Sequence, residues 1–130
     1  MLTQEQKDTR KKWIEALRSK TYTQGVGALK SNGKHCVLGV LCEIIDPSDW
    51  HDYGHPSGRL RFGPDNGYLS SVLMPPQSVR EAVGFTDIDT CAFSERNDNG
   101  YTFEEMAKII EAMDDNLPTT ASQPATPTGE

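Results

Sequence analysis

The feature that most constrains this chain is one strongly apolar segment from Cys36 to Ile45, in which Glu43 is the one charged residue. No other window is as apolar, so the segment must lie at the centre of the fold. It is apolar on every side, and periodicity therefore cannot distinguish a buried helix from a buried strand. Its length of ten residues and its ending in Glu43-Ile44-Ile45 favour a buried helix.

Length and composition indicate one small domain. The chain has 130 residues and a hydrophobic content of 35%, which suits a single core. It has no run of about 18 or more apolar residues and its first residues are polar, so we expect no membrane span, no signal peptide and a cytoplasmic location. The three cysteines are an odd number, which argues against a disulfide framework.

Basic residues are concentrated in the first third of the chain. Residues 1–34 hold eight lysines and arginines against three acidic residues, whereas the whole chain has 13 basic and 19 acidic residues. This distribution is compatible with a phosphate-binding surface on an otherwise acidic body. The alternative is a solvated helix face whose charges pair with the acidic remainder. The overall acidity disfavours general binding of duplex nucleic acid.

The residues before the apolar segment predict a helix followed by a short hairpin. Thr3 and Gln6 have the spacing of a capping box, and the helix that they begin is expected to end near Ser19. Residues 22–29 look extended, and Asn32-Gly33 is typical of a two-residue hairpin turn. The hairpin is therefore expected to lead directly into the apolar segment.

The residues after the apolar segment carry weaker signals. Residues 46–67 are rich in proline, glycine, aspartate and histidine, and we predict a long loop there. A short strand is predicted over 68–74, and a short helix over 77–83 that ends at Gly84. Residues 87–99 show no period and are predicted to be irregular.

The last predicted helix is the best defined one. Thr102 and Glu105 form a second capping box. The predicted buried stripe consists of Phe103, Met106, Ala107, Ile110 and Met113. We therefore predict a single globular α+β domain over residues 1–117, with helices packed around a short antiparallel sheet. Residues 118–130 are rich in proline and threonine and are predicted to form a disordered tail.

Two groups of residues suit an anionic ligand. The first surrounds Gly25-Val26-Gly27, where glycine lets the backbone approach a ligand and cations lie nearby in sequence. It comprises Gln24, Gly25, Lys30 and Lys34. The second lies in the long loop and offers ring faces and guanidinium groups to a base and a phosphate. It comprises Trp50, Tyr53, Arg59 and Arg61. A bulged edge strand and simple packing of the loop are the respective alternatives.

Cysteine chemistry is a separate hypothesis. A thiol at the start of a buried helix is favoured as thiolate by the helix N-terminus, and Cys36 has His51 and His55 downstream as candidate bases. The alternative is that Cys36 is a small buried hydrophobe, as Cys42 is expected to be. His51 and His55 form one loose pair without the spacing of a zinc site, so neither a metal nor a cofactor is predicted.

Three sequence blocks resemble a group of small, mostly uncharacterised proteins encoded by bacteriophages and prophages. The blocks are Lys12-Trp13-Ile14-Glu15-Ala16-Leu17-Arg18-Ser19 with Tyr22-x-Gln24-Gly25, then Cys36-x-Leu38-Gly39-Val40-Leu41-Cys42, and then Asn97-Asp98-x-Gly100 leading into Thr102-Phe103-Glu104-Glu105-Met106-Ala107-x-Ile109-Ile110-Glu111. In those proteins the middle block often begins with two cysteines, whereas here His35 precedes Cys36. The blocks and their spacers span residues 12–111.

The resemblance implies a context rather than a chemistry. Small phage proteins of this kind are often accessory factors that antagonise host defence by binding something. The expected function is therefore sequestration of a small anionic ligand, such as a nucleotide signal, in the host cytosol and without catalysis. Two alternatives stay open: a cysteine-dependent hydrolase or transferase using Cys36 with His51 or His55, and a protein-only inhibitor of a host defence complex. A homo-oligomer is compatible with each.

Overall fold

The computed structural model describes residues 2–52, 54–63 and 72–115. The helices are α1 (Gln4–Arg18), α2 (Val37–Ile45), α3 (Gln77–Ala82), α4 (Asp87–Asp98) and α5 (Phe103–Asp115). The strands are β1 (Thr23–Gln24), β2 (Lys30–Ser31), β3 (Lys34–His35), β4 (Trp50–Asp52) and β5 (Leu60–Phe62). The predicted α+β class is confirmed. Among the described residues no helix is both long enough and apolar enough to cross a bilayer.

The predicted buried helix is α2, which forms the centre of the core. Its N-cap is Cys36, and every residue from Val37 to Cys42 is buried. Helices α1, α3 and α4 all pack against it. Trp13 of α1 is fully buried and its indole Nε1 donates a hydrogen bond to the Val37 carbonyl, 3.0 Å away. The amphipathic helix α1 thus covers the buried, strongly apolar first part of α2.

Both predicted capping boxes are present and the outer helices begin where they predict. Thr3 caps α1 by exchanging hydrogen bonds with Gln6, and the helix ends at Arg18 with Ser19 as its C-cap. Thr102 accepts from the Glu105 amide while its own amide donates to the Glu105 carboxylate. The stripe of α5 is buried from Phe103 to Ile110, and Met113 packs against the core. Predicted residues 118–130, like 116 and 117, lie outside the described residues.

The strands form two small sheets joined at one point. The predicted hairpin turn is present: β2 pairs antiparallel with β3 through Asn32 (φ 53°) and Gly33 (φ 79°), the left-handed pair of a type I′ turn. The extended segment predicted over 22–29 was partly wrong, because only Thr23–Gln24 of it is a strand and the hairpin begins at Lys30. Strand β1 pairs parallel with β3. Strands β4 and β5 pair antiparallel, and a bridge between Ser31 and Arg59 connects the two sheets. The sheets are therefore mainly antiparallel.

The predicted loop over residues 46–67 was partly wrong, because it contains the β4–β5 hairpin. Trp50 and Phe62 face each other across the two strands with ring centroids 4.9 Å apart. This aromatic pair stabilises strands whose other residues are mostly polar. Most of the strand predicted over 68–74 lies outside the described residues. Its described positions Val72 and Leu73 are helical, which contradicts a strand there.

The prediction of an irregular segment over residues 87–99 was wrong, because α4 occupies it. Thr86 and Asp89 form a third capping box at its start. The apolar residues of α4 do not follow one stripe: Phe93 is buried, whereas Ile88 is 81% exposed. The short helix predicted over 77–83 is confirmed as α3, with Gly84 in a left-handed conformation just after it (φ 68°).

Candidate functional site

A row of polar and cationic side chains crosses the joined sheets on one side. Directly paired residues of neighbouring strands project from the same face of a sheet. Ser31 of β2 pairs with Lys34 of β3 on one side and with Arg59 on the other. Arg61 is two residues beyond Arg59 and pairs with His51 of β4. These five residues define the outer face, which consists of Lys34, Ser31, Arg59, Arg61 and His51.

Burial supports this assignment of faces. The intervening residues of the same strands point inward: His35 and Phe62 are buried, and Trp50 packs against the core. On the outer face Lys34 and His51 are exposed, while Ser31, Arg59 and Arg61 are half-buried. The alternation is that of strands with one side on the core and one side in solvent.

The positive charges of the outer face are only partly compensated. Within the described part of the chain, neither Lys34 nor Arg59 forms an ion pair with a carboxylate. Arg61 donates from Nη1 to the Gly63 carbonyl oxygen at 2.6 Å. The His51 ring contacts Asp49 Oδ1 at 2.9 Å, so this end of the face carries one carboxylate. The Lys34–Arg59 end is therefore the more electropositive one.

A cavity of about 300 Å³ adjoins the Lys34 end of the outer face. It is lined by Gln24, Gly25, Val26, Ala28, Ser31, Asn32 and Lys34. Two of the polar groups in it are held in place: the Ser31 hydroxyl and the Asn32 amide both donate to the Ser57 carbonyl oxygen, at 2.9 and 2.7 Å. The cavity is thus lined by two polar side chains held in place, Ser31 and Asn32, and by one exposed cation, Lys34.

The inner face of the same strands carries a partly buried polar cluster around Glu43. Its carboxylate Oε1 lies 2.8 Å from Trp50 Nε1, 3.2 Å from His35 Nε2 and 3.5 Å from Lys30 Nζ. Lys30 Nζ also lies 5.2 Å from the Trp50 ring centroid, over its face. Lys30 and Trp50 were predicted ligand residues, but the structure engages both in this cluster.

The cluster fixes the ionisation of its members. Burial lowers the pKa of His35, and the positive charge of Lys30 lowers it further, although Glu43 opposes both effects. Burial raises the pKa of Glu43, but the hydrogen bonds from Trp50 and His35 and the charge of Lys30 outweigh it, so that pKa lies below its usual value. At neutral pH Glu43 is therefore charged and His35 is neutral, with its Nε2–H donating to Glu43 and its buried Nδ1 unpaired among the described residues.

These directions predict that the protein loses stability as the pH falls. An unfolded histidine has a pKa of about 6.5, above that of folded His35, so acidification below that value favours the unfolded state. As the pH falls further through the lowered pKa of Glu43, the stability that its charged form contributes is lost as well. Thermal unfolding midpoints measured between neutral pH and pH 5 should decrease. His35→Gln should make the unfolding midpoint depend less on pH. If the midpoint of His35→Gln falls with pH as steeply as that of the wild type, the lowered pKa of His35 is contradicted. His51→Gln, which removes an exposed histidine, is the control.

Asn97 connects α4 to β1 and to the start of α2. It is 1% exposed, and its Oδ1 accepts from the Val37 amide and from Gln24 Nε2, both at 3.0 Å. Its Nδ2 donates to the Gly25 carbonyl oxygen at 2.8 Å. Gln24 Nε2 donates also to the Tyr101 carbonyl oxygen at 2.7 Å. Gln24 and Gly25 therefore line the cavity as parts of this junction, and the role of Asn97 is visible only in the fold.

Cys36 is a buried N-cap residue, and its surroundings favour the protonated thiol. Burial raises the pKa of its thiol to about 11, despite the hydrogen bond that its sulfur accepts from the Gly39 amide at 3.3 Å. Burial also raises the pKa of Cys42 well above its usual value. The candidate bases are engaged in their own loop: His51 contacts Asp49, and His55 Nδ1 lies 2.7 Å from the Ser57 hydroxyl. Among the described residues no group of three or more metal-ligating side chains lies together.

Thiol labelling should therefore distinguish Cys91 from the other two cysteines. Cys91 is exposed on α4, whereas Cys36 and Cys42 are buried. We expect one fast-reacting thiol per folded chain with an aromatic disulfide reagent near neutral pH, and three after denaturation. Cys91→Ser should abolish the fast reaction. If the folded Cys91→Ser protein is labelled rapidly, a second thiol is accessible and reactive, which would support the hypothesis of a reactive Cys36.

A larger cavity of about 920 Å³ lies elsewhere, along α1 and next to Glu111 of α5. Its walls carry charges of both signs, including Lys7 and Lys11 with Asp8 and Glu15. Arg18 in the same groove is paired with Glu104 and Glu111 at 3.0 and 2.7 Å. The basic first third of the chain is thus partly neutralised here, so this groove is less suited to an anion than the outer face.

Of the predicted ligand residues, the structure brings Lys34, Arg59 and Arg61 together on the outer face. Gln24 and Gly25 adjoin them as cavity walls, Lys30 and Trp50 lie on the inner face, and Tyr53 lies outside the described residues. Sequence reasoning missed Ser31 and Asn32. Ser31 lies between two cations because β2 pairs with β3 on one side and bridges to Arg59 on the other, and Asn32 lines the adjoining cavity. The Asn32-Gly33 turn signal predicted the β2–β3 pair but carried no information about Arg59.

Comparison with known proteins identifies the family of this chain but does not indicate an activity. A family model described as a domain of unknown function, DUF8296, matches residues 5–86. No curated protein and no solved structure matches the chain. The matched residues include all five strands, and with them the outer face and the residues lining the adjoining cavity. Because the match covers more than half of the chain, this protein belongs to the DUF8296 family.

Proposed function

We propose that this protein binds a small, anionic, nucleotide-like ligand on its outer face and holds it without chemical change. One observation carries the proposal: Lys34 and Arg59 flank Ser31 on the same face, and neither forms an ion pair with a carboxylate among the described residues. Neighbouring strands lie about 4.8 Å apart, so we expect a phosphate above Ser31 to be within reach of both long side chains. Charge-assisted hydrogen bonds to a phosphate are about twice as strong as neutral ones.

The adjoining cavity supports a ligand larger than phosphate. Its volume of about 300 Å³ is at the small end of the range for ligand sites and suits a base or a sugar. The amide and hydroxyl groups of Asn32 and Ser31 are restrained by Ser57, so little side-chain entropy is lost when a ligand binds against them. The net charge of −6 on the whole chain opposes a long polyanion but not a small one.

Binding without catalysis is supported by the state of the cysteines. A thiol whose pKa is raised to about 11 is almost entirely protonated at neutral pH and is a poor nucleophile. The likeness to small phage proteins supplies the context of the proposal. The protein acts in the host cytosol, where sequestering a nucleotide signal counters a host defence system.

The proposal is tested by measuring the binding of adenosine 5′-monophosphate (AMP) by calorimetry, together with native mass spectrometry of the protein purified from cells. Reversing both charges in Lys34→Glu/Arg59→Glu should weaken AMP binding by about a hundredfold, because two favourable contacts become repulsive. Lys7→Glu/Lys11→Glu makes the same change of charge in the α1 groove and should leave the affinity within about twofold of wild type.

The outcomes separate the alternatives. A ligand released intact on denaturation supports sequestration, whereas release of a chemically altered ligand would support an enzymatic function. Failure of the wild-type protein to retain or bind any nucleotide would contradict the proposal, and a co-purifying host protein would then favour inhibition by protein binding. Both double variants must give the circular dichroism spectrum of the wild-type protein, so that a change in AMP affinity can be attributed to the lost charges and not to unfolding.

A further inference from the structure

The outer face has a second cationic position beyond the Lys34–Arg59 pair. Arg59 and Arg61 are alternate residues of one extended segment, so their side chains project from the same face with Cα atoms ~7 Å apart. Arg59 lies opposite Ser31, whereas Arg61 lies opposite His51 of β4. An anion held between Lys34 and Arg59 therefore leaves Arg61 to meet a different group, one step further along the strand.

The hydrogen bond that Arg61 makes within the protein orients its guanidinium group and leaves other N–H donors available. Its Nη1 donates to the Gly63 carbonyl oxygen at 2.6 Å, which holds the guanidinium in place. A guanidinium has five N–H donors, so the planar group keeps donors for an anion. Asp49 reduces the positive potential at this end through its contact with His51. The second position is therefore weaker than the first and adds to binding only when the ligand reaches both.

We propose that the ligand carries two phosphate groups separated by a sugar, as in a nucleoside 3′,5′-bisphosphate or in one phosphodiester-linked step of an oligonucleotide. The first phosphate lies over Ser31 between Lys34 and Arg59, and the second lies at Arg61. Adjacent phosphates that share one bridging oxygen are too close together to occupy both positions. This inference rests on the proposed function and specifies the class of ligand for the same site.

The effect of phosphate spacing is measured by comparing two isomeric probes on the full chain. Two separate phosphate monoesters carry more negative charge than a diphosphate, so the Arg61 variants described below are needed to distinguish spacing from total charge. Adenosine 3′,5′-bisphosphate and ADP have the same base and the same number of phosphates, and they differ in whether a sugar separates those phosphates. We expect the bisphosphate to bind about tenfold more tightly than ADP or AMP, the effect of one further charge-assisted contact. The measurement is calorimetry at low ionic strength, because exposed contacts are screened by salt.

Variants of Arg61 test the assignment of the second position. Arg61→Gln should remove the preference for the bisphosphate while leaving AMP affinity within about twofold, since AMP occupies the first position alone. Arg61→Lys should retain part of the preference. Lys108→Gln, which removes an exposed charge from α5, is the matched control and should retain all of it.

The results distinguish this inference from the proposed function beneath it. If AMP binds in a Lys34- and Arg59-dependent way but ADP and the bisphosphate bind equally, the proposed function stands and the two-phosphate ligand is overturned. If no probe binds, both fail. A preference that Arg61→Gln leaves intact also overturns the inference. The two phosphates could belong to a free small ligand or to a single strand of nucleic acid. If a 5′-phosphorylated diadenylate and an eight-residue strand bind with equal affinity, the ligand is a small molecule. If the longer strand binds more tightly, the same contacts are made to a single strand.

Discussion

Gly39→Ala should unfold the protein or destabilise it by at least about 3 kcal/mol, the largest effect that we expect from a one-carbon change. Gly39 lies in the first turns of α2, where a Cβ atom would be 1.9 Å from the Leu29 carbonyl oxygen and 2.8 Å from its carbonyl carbon. No real Cβ contact is this short, so the backbone of α2 or of Leu29 must move.

Neither backbone segment is free to move. The Leu29 carbonyl accepts from the Cys36 amide at 3.1 Å, and the Leu29 amide donates to the Val72 carbonyl at 2.8 Å. Leu29 is fully buried, and so are the residues of α2 on either side of Gly39. Interiors packed at crystal-like density have no space to absorb the shift. The collision is therefore expected to separate α2 from the strand hairpin.

Chemical denaturation followed by circular dichroism measures this effect. Gly54→Ala is the control: Gly54 has φ 83°, and apart from Gly54 and its two chain neighbours no heavy atom of the described residues lies within 4 Å of its Cβ position. Its cost is limited to backbone strain of about 1–2 kcal/mol. A Gly39→Ala protein as stable as the Gly54→Ala protein would show that α2 is not packed against Leu29 in this way.

Asn97→Ala should cost about 3–5 kcal/mol, because it leaves several buried polar groups without partners at once. The Val37 amide and the Gly25 carbonyl each lose the partner given by the Asn97 side chain, and Gln24 loses one of its two acceptors. Burying an unpaired donor or acceptor costs more than the net contribution of the hydrogen bond itself.

Asn97→Asp is the sharper variant for the same junction. It retains an acceptor for the Val37 amide but replaces the donor to Gly25 with a second oxygen, so two acceptors face each other at the Gly25 carbonyl. We expect a loss of stability of similar size. Asn99→Ala, at the exposed C-cap of α4, is the control and should change the free energy of unfolding by less than about 0.5 kcal/mol. Equal stability of the Asn97 and Asn99 variants would contradict the junction.

The elements with strong local signals were predictable from the sequence. The Thr3–Gln6 and Thr102–Glu105 capping boxes, the Asn32-Gly33 turn and the apolar segment over 36–45 each correspond to an observed element. Local chemistry determines these elements: caps satisfy the first amides of a helix, and a left-handed pair matches the twist of a hairpin.

Helix α4 was missed because its hydrophobic pattern is weak. Its exposed Ile88 and buried Phe93 do not form one stripe, and the hydrogen bonds of Asn97 that tie it to α2 and Gly25 are tertiary contacts. The Thr86–Asp89 capping box was the available local signal. Strands β4 and β5 were missed because three-residue strands carry little local signal, and the Trp50–Phe62 contact across them is visible only in the fold.

By itself, the sequence determined which residues are buried at the centre, where the best-capped helices begin, and that cations occur near positions 34 and 59–61. Only the tertiary structure decided what those cations face. Side chains alternate along a strand, so a shift of one residue in pairing would exchange Lys34 with His35 and Lys30 with Ser31 between the two faces. The Asn32-Gly33 turn fixes the register of β2 with β3, which places Lys30 against Glu43 and Lys34 on the other face. The bridge between Ser31 and Arg59, which joins residues distant in sequence, adds Arg59 and Arg61 to the face that carries Lys34.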